Sequence, residues 1–119
     1  MRLEIVGDGA MRPILEKLIC DLSINSSVTL LGWQENVSLL FSRWDIFAMS
    51  SLWEGLPCAV VEARLSGLPV VAYNVGGISE IIFEGKNGYL VEPGNRDKLS
   101  ECLFKLAESE KLRTDFSEF

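Results

Sequence analysis

Glu54 and Glu62 stand eight positions apart in the stretch Ser50-Ser51-Leu52-Trp53-Glu54-Gly55-Leu56-Pro57-Cys58-Ala59-Val60-Val61-Glu62, and the residues between them are of kinds that hold an anion. Gly55 lets a ligand come close to the backbone, and Pro57 sets φ for entry into a helix without wasting a needed N–H. The amides of Cys58, Ala59 and Val60 then lack intrahelical partners and point out of the positive end of the helix dipole, a place suited to phosphate. Glu62 lies one turn further on the same face as Cys58, so its carboxylate stands roughly 6 Å along the axis from that phosphate position. A carboxylate there would repel a diphosphate. Its natural partners are hydroxyls: a ribose diol for Glu62, and a sugar for Glu54 ahead of the turn. A second reading needs no ligand, because acidic residues near a helix start are favoured by the dipole alone, by roughly 0.3–1 kcal/mol.

The flanking elements decide where such a turn would sit. Asp45-Ile46-Phe47-Ala48-Met49 has the length and composition of a buried strand, and Cys58 to Ser66 reads as a helix stopped by Gly67, a good left-handed cap. The turn is therefore at the carboxyl end of a strand, where open parallel sheets bind ligands.

The same grammar repeats along the chain. Leu3-Glu4-Ile5-Val6 is a strand running into Gly7-Asp8-Gly9, and Met11 to Leu22 has helical spacing with Pro13 in its first turn. Val28-Thr29-Leu30-Leu31 is a second strand closed by Gly32-Trp33, followed by a short helix capped by Asn36. Leu68-Pro69-Val70-Val71-Ala72 is a continuous β-branched run that suits a strand covered on both faces. Val75-Gly76-Gly77-Ile78-Ser79-Glu80 leads into a short helix ending near Phe83. Tyr89-Leu90-Val91 is a fifth strand, Asn95 caps a helix carrying Leu99, Cys102, Leu103 and Leu106, and a further helical piece begins near Glu108, with the terminal Phe116 and Phe119 looking unfinished. Strands alternating with helices in this way predict an α/β fold with a Rossmann-like parallel sheet flanked by helices.

Two of these turns are further candidates. The amides of Gly7-Asp8-Gly9 either face a ligand's phosphate or simply make a tight turn. Arg12 stands where the dinucleotide fingerprint needs its third glycine, which weakens an NAD reading. Trp33, at the end of a strand, either flanks a nucleobase or packs, as Trp44 and Trp53 do in the plainer reading. Glu80 either caps its own short helix or touches a ligand.

Composition narrows the chemistry. With 119 residues, 48% hydrophobic, the chain fits one globular domain. Its net charge is −6 and its 11 basic residues are scattered, so it carries no footprint for nucleic acid or an anionic membrane. The absence of histidine removes the commonest general base and most zinc sites. Cys20, Cys58 and Cys102 are odd in number, lack metal-ligand spacing and read as reduced, mostly core residues of a cytoplasmic protein. No apolar run approaches the ~20 residues of a membrane span, and Met1-Arg2-Leu3-Glu4 does not open a signal peptide.

Taken together, these motifs resemble the C-terminal, donor-binding domain of group 1 retaining glycosyltransferases, one half of the GT-B architecture. The resemblance runs through Glu4-Ile5-Val6-Gly7-Asp8-Gly9, Leu30-Leu31-Gly32, Asp45-Ile46-Phe47, Ser50 to Glu62, Gly67 to Ala72, Gly76-Gly77-Ile78-Ser79-Glu80, Asn87 to Val91 and Pro93-Gly94-Asn95. It implies one nucleotide-sugar-binding domain, residues 1–119, truncated at both ends. It implies that Glu54 contacts the transferred sugar as the catalytic carboxylate and Glu62 the ribose, with Gly55, Leu56, Pro57, Cys58 and Ala59 in the turn that serves sugar and phosphate. Gly7, Asp8 and Gly9 would lie near the diphosphate, and Gly32 and Trp33 near the base.

The reaction implied is retaining transfer from a nucleoside-diphosphate sugar to an acceptor hydroxyl, in polysaccharide biosynthesis, with no metal or other cofactor. The family's diphosphate-clamping Arg and Lys lie upstream of this sequence, and so does its N-terminal acceptor domain, through which alone any peripheral membrane association would come. Weak donor binding and no turnover are therefore expected of these residues alone. A non-catalytic nucleotide- or anion-binding module, or half of a nucleotide-sugar epimerase, fits the same turns.

Overall fold

A computed structural model describes residues 1–52 and 58–119, in two compact units, Met1–Val37 and Ser38–Phe119. The first holds strand β1 (Leu3–Val6), helix α1 (Arg12–Asp21) and strand β2 (Val28–Gly32). The second holds α2 (Ser38–Phe41), β3 (Phe47–Met49), α3 (Cys58–Leu65), β4 (Val70–Tyr73), β5 (Gly88–Val91), α4 (Arg96–Glu108) and α5 (Glu110–Glu118).

Among the described residues every strand pairing is parallel, as the alternation of strand and helix requires, but the strands form two ladders rather than one. In the first unit β1 lies beside β2, with Leu3 opposite Val28 and a register shift between Ile5 and Val6. In the second the order is β3-β4-β5, Phe47 facing Val70 and Val70 facing Gly88. The outer edge of β5 is closed by its own preceding turn: the Leu90 N–H donates to Glu84 Oε2 at 2.6 Å, which blocks a further strand there.

The core belongs to the second unit. All four residues of β4 are buried, because the strand is covered on both faces. Val71 and Tyr73 join Val91, Cys102, Leu106 and Phe116 in one cluster under α4 and α5. Alternation turns Val70 and Ala72 to the other face, and α3, which contacts β3 and β4, contributes the fully buried Val60 and Ala63.

Local chemistry sets the helix ends. The N–H of Gly67 donates to the Arg64 carbonyl at 2.9 Å and that of Leu68 to the Ala63 carbonyl at 3.0 Å, a Schellman stop that needs the φ of +81° glycine supplies. Asn95 caps α4 by accepting from the Lys98 N–H at 3.1 Å, as its sequence position predicts. Ser109 does the same for α5, accepting from Leu112 N–H.

Three expectations are corrected. Cys20 and Cys58 are exposed, and only Cys102 is a core thiol. The reason for Cys20 is that α1 buries none of its side chains; Cys58 opens α3 on the face away from Val60 and Ala63. The helix expected to reach Phe83 is a single 3-10 turn, Ile78–Glu80, with Glu80 exposed. Buried Asn87 ends it, its Oδ1 accepting from the Phe83 N–H at 2.7 Å and its Nδ2 donating to the Ile81 carbonyl at 3.1 Å. The end that looks unfinished in the sequence is packed at Phe116, which is 2% exposed with its ring 5.3 Å from that of Tyr89.

Candidate functional site

Helix α3 follows the carboxyl end of β3, and its burial pattern sorts its residues by face. Val60 and Ala63, three positions apart, point into the protein, which leaves Cys58, Ala59 and Glu62 exposed. Cys58 and Glu62 therefore share an outer face at the spacing of one helical turn, as the sequence reading requires. Trp53, Glu54, Gly55, Leu56 and Pro57 lie outside the described residues, so the catalytic assignment of Glu54 and the turn itself rest on sequence.

The first unit brings two of its candidate turns together. The Gly7 N–H donates to the Gly32 carbonyl at 2.8 Å, tying the end of β1 to the end of β2. Gly9 N–H is taken by the carboxylate of Asp8 at 2.8 Å, and the Gly9 carbonyl accepts from Arg12 N–H at 3.1 Å at the entry to α1. Of the three amides, only that of Asp8 is without a hydrogen-bond acceptor among the described residues. Space remains beside the turn, since a Cβ built on Gly7 or Gly9 would meet nothing within 4 Å. Trp33 is 74% exposed, so its ring is available rather than packed, whereas Trp44 is half-buried against Phe41 and Phe47.

Arg12 has more to do than interrupt a fingerprint. Its guanidinium ion-pairs with Glu16 at 3.0 Å, and its Nη1 lies 3.3 Å from where a Cβ on Gly32 would stand. This places a cationic side chain beside Gly32, next to Trp33. Its position five residues after Gly7, in the first turn of the next helix, is the signal by which the sequence could have shown it.

No group of three or more metal-ligating side chains occurs among the described residues. No helix among them is long and apolar enough to cross a membrane.

The family description "Glycosyl transferases group 1" matches residues 1–119. The chain belongs to the group 1 glycosyltransferases. It is 30% identical over 109 residues to the UDP-Gal:alpha-D-GlcNAc-diphosphoundecaprenol alpha-1,3-galactosyltransferase of Escherichia coli, a match covering 91% of this chain and 28% of that protein. Among solved structures it superposes with a TM-score of 0.93 and 27% identity on an S. aureus TarM variant in complex with Fondaparinux, alpha-GlcNAc-glycerol and UDP, covering 99% of this chain and 24% of that one. The C-terminal domain of a group 1 glycosyltransferase from Francisella tularensis gives a TM-score of 0.83 at 26% identity, covering 91% of this chain and 57% of that one. The α/β fold with parallel sheets is thus that of GT-B glycosyltransferases. The group 1 chain spans from 13% to 34% of the length of the curated relatives it matches.

Proposed function

We propose that residues 1–119 are the donor-binding part of a retaining glycosyltransferase that takes its sugar from a nucleoside diphosphate. The observation that carries this reading is the outer face of α3, where Cys58, Ala59 and Glu62 are exposed at the carboxyl end of β3 while Val60 and Ala63 anchor the helix. UDP, present in the TarM complex and in the name of the Escherichia coli galactosyltransferase, supports the same donor class.

In this reading the opening amides of α3 hold the phosphates, Glu62 accepts hydrogen bonds from the ribose diol, and Glu54 accepts from the transferred sugar. Gly7, Asp8 and Gly9 serve the diphosphate, and Gly32 and Trp33 the base. The bond from the anomeric carbon to the phosphate oxygen breaks as the bond to the acceptor oxygen forms on the same face. The acceptor proton passes to the departing phosphate oxygen, so neither a histidine nor a metal enters the step. The acceptor is held by a part of the protein outside these residues, and the 119 residues alone bind donor weakly and transfer nothing.

The test is calorimetric titration of the protein with UDP, ADP and GDP. A carboxylate that accepts from a diol is worth roughly 1.5–3 kcal/mol, so Glu62→Ala should weaken the preferred nucleotide about tenfold to a hundredfold with the fold intact. In the full-length protein with its acceptor part, Glu54→Gln should abolish transfer and leave nucleotide affinity within a few-fold. Unchanged affinity in the Glu62 variant removes the ribose role and with it this reading.

A further inference from the structure

At the amino ends of β3 and β4, away from Ser50 and Cys58, a cleft of about 410 Å³ opens between the loop into β3, the α3–β4 turn and α5. Trp44 forms one wall. Its ring is fixed by Phe41 at a centroid distance of 5.6 Å and by Phe47 at 6.4 Å, so it is a rigid surface rather than a mobile side chain. Around it stand the carboxylates of Asp45 and Glu118 and the hydroxyls of Thr114 and Ser117, all exposed. α5 closes tightly on the turn: Ser117 Oγ lies 3.0 Å from where a Cβ on Gly67 would be.

The lining selects by elimination. An anion is repelled: among the described residues the one cation in the lining, Arg113, already donates through Nη1 to the carbonyls of Leu106 at 2.7 Å and Ala107 at 2.9 Å, and the carboxylates of Asp45, Glu110 and Glu118 face the same cleft. A metal ion finds no set of three ligating side chains among the described residues. A wholly apolar ligand would displace water from the carboxylates and hydroxyls and offer them no hydrogen bond in return. What fits is a neutral molecule with one apolar face and many hydroxyls: C–H groups against the aromatic ring, hydroxyls donating to Asp45 and Glu118 and accepting from Thr114 and Ser117. A volume in the ordinary range for small-ligand sites, roughly 300–1,000 Å³, suits a short saccharide.

We propose that this cleft is a saccharide-binding site, holding a neutral mono- or disaccharide unit of a glycan against Trp44. It borders the carboxyl-terminal end of α3 at Ser66–Leu68 and the amino end of β3, whereas Cys58 opens α3 after the carboxyl end of β3; it is therefore not the donor position proposed above, and it neither requires nor repeats the donor reading.

The experiment is a titration of the full-length protein with maltose, lactose and N,N′-diacetylchitobiose, following the Trp44 indole ¹H–¹⁵N resonance, assigned by its loss in Trp44→Phe. One or more of these sugars should shift it saturably with a Kd of roughly 1–10 mM, as a few hydrogen bonds and one stacked face imply, and glucuronate should not. Thr114→Trp, on the exposed side of α5, should fill the cleft and abolish the shift; Asp45→Ala should weaken binding about tenfold by removing a charged acceptor. Saturating UDP should leave the shift in place. The proposal is overturned by any of four results: no shift up to about 50 mM sugar, a shift that survives both variants, an equal response to glucuronate, or displacement of the sugar by UDP.

Discussion

The Gly7 N–H donates to the Gly32 carbonyl at 2.8 Å, so a backbone hydrogen bond joins the end of β1 to the end of β2. Gly32 is buried, holds a φ of +70° and has the Arg12 guanidinium above it.

That arrangement makes Gly32→Ala costly for two separable reasons. A non-glycine residue at this φ is strained by about 1–2 kcal/mol, and the new methyl meets Arg12 Nη1 at 3.3 Å. The guanidinium is the end of a flexible side chain and can move, so strain dominates. Denaturant unfolding should show a loss of about 1–2 kcal/mol, and the double variant Gly32→Ala with Arg12→Ala should recover only a few tenths.

Gly88→Ala should be worse although its φ is unexceptional. A Cβ there would stand 2.3 Å from the Val70 carbonyl oxygen and 2.9 Å from Ile82 Cγ2, and the first of these is backbone inside a parallel ladder. Neither β4 nor β5 can yield without breaking hydrogen bonds, so the cost should reach or exceed the ~3 kcal/mol upper range for overpacking. A variant that unfolds at the parent's denaturant midpoint would show that the two strands can separate freely.

How legible these features were in the sequence depends on range. The stop at Gly67, the cap at Asn95 and the strands at Leu3–Val6 and Val70–Tyr73 are set by neighbours within a few residues, and the residue types announce them. The short helix after Gly77 ends early because of Asn87, whose side chain reaches back four and six positions, beyond any local pattern. Leu18 in α1 and Leu22 at its carboxyl cap have core spacing yet are 50% and 58% exposed, and Cys20 beside them is exposed too, because periodicity names an apolar face without supplying its cover. At the candidate site, the shared outer face of Cys58 and Glu62 followed from helical spacing alone. The place of the Arg12 guanidinium beside Gly32 did not, because it needs the pairing of β1 with β2.

The three thiols should separate by accessibility. Cys20 and Cys58 are exposed, whereas Cys102 is in the core and burial pushes its thiol up, outweighing the nearby ammonium of Lys98. Native protein at mildly alkaline pH should take two iodoacetamide adducts, and denatured protein three, counted by intact mass. The linkage has a sign: a thiol whose folded pKa is raised costs stability as pH climbs from its unfolded value, about 8.5, toward the folded one. Cys102→Ser should flatten part of the fall in stability above that pH.

Phe116 tests whether α5 is an integral part of the second unit. The residue is 2% exposed, packs its ring at a tilt against that of Tyr89 of β5 with centroids 5.3 Å apart, and shares a cluster with Cys102 and Leu106 of α4, so its ring joins helix α5 to both neighbours. Truncation to alanine removes that ring from a site backed by strand and helix, which leaves little room for collapse, and should cost about 3–5 kcal/mol. Phe119, three residues on, is 59% exposed and makes its edge contact with Phe83 at the surface, so Phe119→Ala should cost well under 1 kcal/mol. Equal midpoints for the two variants in denaturant unfolding would mean that α5 docks too loosely to belong to the core, and the wall it gives to the saccharide cleft would go with it.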